Sequence, residues 1–419
     1  MAPTPTCEPD GPPRLVSPYA SVLRTPHAVP MVLAAFIGRL PLSMMGLGCV
    51  LLVASESGSY AYGGSVAAAG AVTTALAGPL IGRLSDTIGQ RRTLLPVTLI
   101  FGLAGAAFLA AVKRDWPAWS VFGSVAVAGV CIPPVASMIR VRWTYLLRGT
   151  KRLPAALAME SVVDELVFIV GPVLVTFLST TGHSTSGVVT AFVLAVVGSL
   201  LFAAQGRTEP PPGGHESRSG PSAIRTPGLR VLFVVGAAVG AILGTLEIAL
   251  VAFAEEVGAK SLSGLLVAAL ALGSMTSGIA WGTVHWRISL RKRLVGVLGG
   301  LTVLTVPLLL ITNVWLMIPF VVIAGLSLSP SLISSFTLAE VLVPQTAVTE
   351  AFTWIGTALG LGVAVGGSLA GVIVDEHGAN ASFLVATGAA AIAAVTVGGC
   401  QRLLFVPKEN AEAAAVLAP

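Results

Sequence analysis

The chain has 419 residues, 55% of them hydrophobic and only 10% charged, with 47 glycines and a mean hydropathy of +0.89. A water-soluble fold cannot cover that much apolar surface, so the bilayer is the solvent. The net charge of +5 would suit a nucleic-acid partner only if the basic side chains formed a patch. They fall instead in the connections between apolar runs, and no nucleic acid is expected as a partner.

Residues 1–28 are Pro-rich and polar. They lack the charged segment, short apolar core and cleavage site of a removable leader, so the first helix is expected to stay in the mature protein as the sequel to a cytoplasmic tail. Cutting the rest at charged or Pro/Gly/Ser clusters gives twelve apolar runs, each long enough to cross about 30 Å of hydrocarbon as a helix. They lie near 29–54, 62–82, 93–112, 117–141, 153–178, 185–204, 229–254, 262–283, 293–312, 314–335, 346–374 and 379–404. The softest boundaries are those between runs 9 and 10, at Thr312 and Asn313, and between runs 11 and 12, at Asp375 and Glu376. Losing either would leave eleven spans and put the termini on opposite sides.

Placing the N-terminus inside assigns 20 of the 24 Lys and Arg residues to the cytoplasmic side and leaves only Lys113, Arg114 and Lys260 outside, with Arg39 inside a span. Short cytoplasmic loops carry such an excess, so both termini are expected in the cytoplasm of a bacterial-type inner (plasma) membrane protein. The four cysteines, Cys7, Cys49, Cys131 and Cys400, show no CxxC or metal-like spacing and read as free thiols.

The longest connection, residues 205–228, is rich in Pro, Gly, Ser and charge, as a flexible linker is. It divides the chain into an N-terminal half (29–204) and a C-terminal half (229–405), followed by a cytoplasmic tail (406–419). Sliding the halves by about 200 positions brings out internal similarity. Arg24–Pro26 and Arg225–Pro227 both read Arg-Thr-Pro ahead of a first helix, Gly78 and Gly82 match Gly278 and Gly282, and Gly171-Pro172 in span 5 falls opposite Gly366-Gly367 in span 11.

Between spans 2 and 3 the chain reads GRLSDTIGQRR, with Gly82, Asp86, Gly89, Arg91 and Arg92 at fixed spacing. This stretch, with the six-linker-six plan, resembles the major facilitator superfamily of secondary transporters, whose loop here runs roughly Gly-x-x-x-Asp-Arg/Lys-x-Gly-x-Arg/Lys-Arg/Lys. Thr87 stands where a basic residue is usual. The resemblance implies an all-α membrane fold of twelve helices in two related six-helix halves that rock about a central site. It also implies that Asp86 meets the cytoplasmic start of span 11, near Thr346 to Glu350, and latches the halves while the cavity faces outward. From the residues alone, glycines permit a tight turn and an acid suits a positive helix N-terminus. Gly171-Pro172 resembles the Gly-Pro pair of the drug:proton antiporter branch. Val175 and Thr176 replace that pattern's terminal glycines, and span 4 lacks its arginine ahead of Gly129. A helix kink at Gly171-Pro172 is the plain alternative.

An ionisable residue at mid-bilayer costs on the order of 3 kcal/mol to insert, so each one retained suggests a paired or functional group. Span 5 carries Glu160, Asp164 and Glu165, and span 1 carries Arg39 at comparable depth. An Arg39–carboxylate pair could be permanent and structural, or a remaining acid, Asp164 or Glu165, could exchange a proton that drives transport. Glu247 in span 7 is a second candidate for a proton or a substrate cation, whereas Glu350 sits at a helix start where an acid is ordinary. Arg140 and Arg142 are expected to end span 4 at the interface. The span 11 glycines at 356, 360, 362, 366, 367 and 371 are expected to serve close packing, a moving interface between halves, or both. Pro133-Pro134 marks a kink or a break that lines a cavity.

No GxxxxGK[ST], HExxH or GxSxG motif is present, so no ATP, metal or other cofactor and no enzymatic activity is expected. The expectation is a monomeric transporter, with protons and a small-molecule substrate as its partners, that exports apolar drugs or metabolites in antiport with protons. Transport of a polar nutrient such as a sugar or organic acid, and a non-transporting sensor on the same scaffold, are the alternatives.

Overall fold

The computed structural model describes residues 17–150, 152–213, 222–259, 262–284, 286 and 288–405. Cys7, the basic residues Arg14, Lys151, Arg218, Lys260, Arg287 and Lys408, the middle of the 205–228 linker and the tail 406–419 lie outside the described residues.

Among the described residues the fold is all-helical. Twelve helical segments are long and apolar enough to cross a membrane: Ala28–Ser57, Tyr62–Ile88, Gln90–Lys113, Ala118–Leu146, Leu153–Ser179, Ser186–Ala203, Pro227–Glu256, Ser263–Trp281, Leu290–Leu309, Val314–Leu342, Gln345–His377 and Ala379–Gly399. They correspond one to one with the twelve runs in the sequence and are numbered spans 1 to 12. A short helix, Ser17–Leu23, precedes span 1.

Local chemistry sets the two soft boundaries. After span 9 the chain tightens into a 3₁₀ turn at Val306–Leu309, and Asn313 starts span 10 by accepting from the amides of Trp315 (2.8 Å) and Leu316. Asn380 donates to the carbonyls of Leu308, Leu309 and Ile311, which the end of span 9 leaves without helical donors. Spans 11 and 12 part at Gly378, whose φ of 85° only glycine adopts at little cost.

Spans 4 and 10 are each two helices. Span 4 breaks between Ala118–Val130 and Val135–Leu146, where Pro133 and Pro134 supply no amide hydrogens. Span 10 breaks between Val314–Gly325 and Leu328–Leu342. The two breaks occupy equivalent places in the two halves.

Within the N-terminal half, span 1 packs against spans 2, 5 and 6; within the C-terminal half, span 7 packs against spans 8, 11 and 12. The halves meet where span 2 lies on span 11 and span 5 lies on spans 8 and 10. The glycine pairs seen as a repeat make this pseudo-symmetry physical. A Cβ on Gly78 would stand 3.3 Å from Thr357, and one on Gly82 would stand 2.4 Å from the Thr353 hydroxyl, so these glycines seat span 2 on span 11. Their counterparts Gly278 and Gly282 face Val162, Ala155 and Ala158 of span 5.

Candidate functional site

Arg39 lies as far from the start of span 1 as Asp164 does from the start of span 5, about 16 Å at helical rise. Because spans 1 and 5 are neighbours, the two side chains meet. Arg39 Nη1 is 2.8 Å from both Glu160 Oε2 and Asp164 Oδ1. Glu160 also accepts from the indole of Trp143 at 2.8 Å, and its side chain is fully buried.

Asp164 has a second cation. Arg140 Nη2 pairs with Asp164 Oδ2, its Nη1 donates to the Ala136 carbonyl at 2.8 Å, and its guanidinium lies 4.3 Å from the Phe336 ring centroid on span 10. Two arginines and two carboxylates therefore form a neutral set, with Arg39 1% exposed and Asp164 28% exposed. Removing one member would leave a buried charge without compensation.

This corrects the expectation for Arg140, which pairs with an acid 11 residues into span 5, whereas Arg142 does lie where spans end, beside Gln90 at the start of span 3 and Gln205 just past span 6. Because span 4 restarts after its proline break and runs to Leu146, both arginines are buried. Arg142 is fully buried. It donates to Gln90 Oε1 (2.8 Å), the Gln205 carbonyl (3.0 Å) and Thr208 Oγ1 (2.8 Å), and stacks 3.7 Å over Phe202.

Glu165, the next residue along span 5, points elsewhere. Its carboxylate accepts from the hydroxyl of Ser274 on span 8, across the boundary between halves, and Ser274 lies 3.1 Å from the Ser329 hydroxyl on span 10. Asp164 and Glu165 are consecutive on a helix and face roughly 100° apart, which gives one to the arginines and the other to the opposite half. Ser274 and Ser329 did not stand out in the sequence, where a serine on an apolar helix is unremarked; their only signal is a polar run, LSLSPSLISSFT, beginning in the break of span 10. Glu247 is separate from this set: it is exposed on span 7, well towards the end opposite the span 2–3 turn.

At the end of the bundle that carries the span 2–3 turn, called the basal end, the Gly82–Arg92 stretch is not the loop expected. Span 2 stays helical to Ile88 and span 3 begins at Gln90, so the turn is the single residue Gly89, at φ 98°. A helical setting holds Asp86 rigidly. Its oxygens accept from the amides of Thr349 (3.2 Å) and Glu350 (2.9 Å) at the N-terminus of span 11, where unpaired amides and the helix dipole favour an anion. Arg91 and Arg92 are exposed; the Arg91 amide donates to Glu209 (2.8 Å) and the Gly213 amide donates to the Asp86 carbonyl (2.8 Å), which docks the segment after span 6 onto the turn. Glu350 is buried and accepts from Ser222 and Trp354.

A further basal contact had no signal in the sequence. Tyr19 of the short N-terminal helix donates its hydroxyl to span 8 carbonyls, at Ile279 and Gly278. The glycine at 282 leaves room for that hydroxyl, which would stand 2.6 Å from a Cβ there. Burial pushes the Tyr19 hydroxyl up to about 12, so it remains a donor across the physiological range.

The remaining glycines divide by role. A Cβ on Gly362 or Gly366 would stand 2.0 or 2.2 Å from a span 7 carbonyl, whereas one on Gly356, Gly360 or Gly371 would meet nothing and one on Gly367 nothing closer than 3.5 Å. The close packing in span 11 thus binds it to span 7 within one half, and the approach between halves is made by the glycines of spans 2 and 8. Gly171 sits against Ser43 and Met44 of span 1, while Pro172 lies inside a helix that is continuous from Leu153 to Thr181.

The sequence matches the family described as Major Facilitator Superfamily over residues 31–312 and 231–416. The chain belongs to that superfamily. No curated protein sequence matches it. Among solved structures, a bacterial homologue of the iron transporter ferroportin in its outward-facing state has a TM-score of 0.72 at 14% identity, covering 89% of this chain and 99% of the other. The human organic anion transporter TETRAN has 0.63 at 17%, covering 88% and 99%. The fucose:proton symporter FucP of E. coli has 0.65 at 13%, covering 90% and 99%. At such identities the likeness is one of fold, and it spans facilitators whose substrates differ in kind.

Proposed function

We propose that this facilitator is a proton-coupled exporter of small, fairly apolar organic compounds that works by alternating access. The observation that carries the reading is Glu165, a carboxylate within the membrane-spanning part of span 5 that accepts from a hydroxyl of the other half, beside acids already matched by Arg39 and Arg140. A proton arriving there changes a contact between the two bodies that must move, which is what coupling requires. In this proposal the Arg39–Glu160–Asp164–Arg140 set is structural scaffolding, and Glu165 exchanges the proton. Glu247, exposed on span 7, meets substrate or proton nearer the far mouth.

The basal end is assigned to the cytoplasm of a bacterial-type plasma membrane, supported by the excess of Lys and Arg there. The hydrogen bonds between halves made by Tyr19, Asp86, Thr357 and Glu165 all lie within about 20 Å of that end. In this proposal a bundle clasped there opens on the outer side, and the Asp86 contact serves as the latch of that outward-facing state.

The test is accumulation of a chemically diverse compound panel in an efflux-deficient bacterium expressing the protein, with and without a protonophore. The expected result is lowered accumulation of at least one apolar compound that the protonophore reverses and that Glu165→Gln abolishes. Lowered accumulation that survives both treatments refutes proton coupling through Glu165; a polar solute gained instead of an apolar one lost refutes export.

A further inference from the structure

We propose that Ser274 is a positioning residue that transmits the protonation state of Glu165 to the C-terminal half, with Ser329 as the next hydroxyl on the same path. The inference rests on the reading of Glu165 as the proton-exchanging group. Ser274 has one hydroxyl proton and two oxygen neighbours, the Glu165 carboxylate and the Ser329 hydroxyl at 3.1 Å. A charged acceptor takes a hydrogen bond in preference to a neutral one, so with Glu165 ionised the chain runs from Ser329 to Ser274 to Glu165. Once Glu165 carries a proton, its carboxyl becomes a donor, the chain reverses, and Ser329 must turn its own proton to an acceptor on span 10.

The backbone around this path makes the reversal mechanical. Gly273, beside Ser274, has no room for a side chain: a Cβ there would stand 2.0 Å from the Val322 carbonyl. A Cβ on Gly325 would likewise stand 2.4 Å from the Leu270 carbonyl. Spans 8 and 10 therefore touch backbone to backbone and move together at this depth, directly beside the break at Leu326–Ser327. One turn further, Gly278 rests on Ser329 and approaches Val162 of span 5. A hydroxyl reorientation between Glu165 and Ser329 acts at the joint between one half's span 5 and the other half's paired helices.

Among the described residues of spans 5, 8 and 10, the other charges are engaged elsewhere or distant. On span 5 itself, Glu160 and Asp164 are engaged by Arg39 of span 1 and Arg140 of span 4. Span 8, Ser263–Trp281, contains no charged residue, and the only one in Leu328–Leu342 of span 10 is Glu340, about 16 Å beyond Ser329.

The experiment needs no substrate. The full chain, with its four cysteines replaced and Ala204→Cys and Arg402→Cys introduced for spin labels on exposed basal positions of the two halves, is placed in lipid nanodiscs. The distance distribution is followed from pH 5 to pH 9. The unmodified Glu165 protein is expected to shift between two populations with pH, and Glu165→Gln to hold one distribution throughout. Ser274→Ala is expected to shrink the pH-driven change in the population ratio at least fivefold. Ser329→Ala, which spares the Glu165–Ser274 bond, also diminishes the response and keeps the idea testable if Ser274→Ala does not fold. A full pH response in both serine variants, with Glu165→Gln unresponsive, overturns the hydroxyl path alone. A full response in Glu165→Gln, or none in the parent, overturns the role of Glu165 and the path with it.

Discussion

Replacing Asp86 by asparagine removes a charge and one acceptor oxygen while keeping the size of the side chain. In the structure that side chain holds two span 11 amides, from Thr349 and Glu350, across the boundary between halves. Losing one charge-assisted hydrogen bond costs about 2 kcal/mol, and losing the charge at a helix N-terminus about 1 kcal/mol more. Part of this is offset because a carboxylate must shed water when the basal end closes and a neutral amide sheds less, leaving about 2 kcal/mol. That corresponds to a roughly 30-fold shift of the closed-to-open ratio towards the basally open state. The Ala204→Cys and Arg402→Cys label pair reads the ratio directly, and Asp86→Asn should also slow transport without preventing membrane insertion. A closed population unchanged within threefold would show that the two amide contacts do not hold the halves together, and the latch role would be lost.

Arg39→Ala leaves Glu160 and Asp164 with one cation, Arg140, between them, so it is expected to destabilise the protein by about 3–5 kcal/mol. This would appear as a clear drop in the thermal unfolding midpoint in detergent, partly restored by adding Glu160→Gln; an unchanged midpoint would mean the set carries no net interaction. Tyr19→Phe deletes the donor to span 8 without opening a cavity and is expected to cost about 1 kcal/mol of basal closure, a roughly fivefold shift in the same label ratio. With the phenol pushed up to about 12 by burial, the neutral donor form persists below that pH. The contribution of Tyr19 to closure should therefore be flat from pH 5 to 9 and vanish only as pH rises through about 12. Gly82→Ala, whose new methyl would stand 2.4 Å from Thr353 and 3.1 Å from the Glu350 backbone, should hold the basal end open while leaving unfolding of the halves nearly unchanged. Normal closure in that variant would contradict the seating of span 2 on span 11.

The twelve spans were legible in the sequence because the bilayer imposes a length and a composition on anything that crosses it. Depth was legible for the same reason: a helix rises a fixed distance per residue, so Arg39 and Asp164 could be set level by counting. The repeated glycines could be paired by offset, and the acid of the span 2–3 stretch matched a known pattern. The linker and tails, by contrast, are compositional statements whose middle and ends lie outside the described residues.

Counting along a helix says nothing about how that helix is rotated against its neighbours, and rotation decided the chemistry. The four-residue spacing put Glu160 and Asp164 on one face, but only packing showed that Arg140 joins Arg39 on that face while Glu165 turns to Ser274. Arg140 and Arg142 look like interfacial residues in a hydropathy profile. The continuation of span 4 past its proline break buries both, Arg140 against Asp164 of span 5 and Arg142 against Gln90 and Phe202 at the ends of spans 3 and 6. Likewise the span 11 glycines share one sequence signature, yet Gly362 and Gly366 meet span 7 while Gly356 and Gly360 meet nothing. Sequence alone determined what crosses the membrane and at what depth, because those follow from one helix and its solvent. Tertiary structure decided which charge is paired and which surface moves, because those depend on side chains far apart in the chain meeting at a single rotation of each helix.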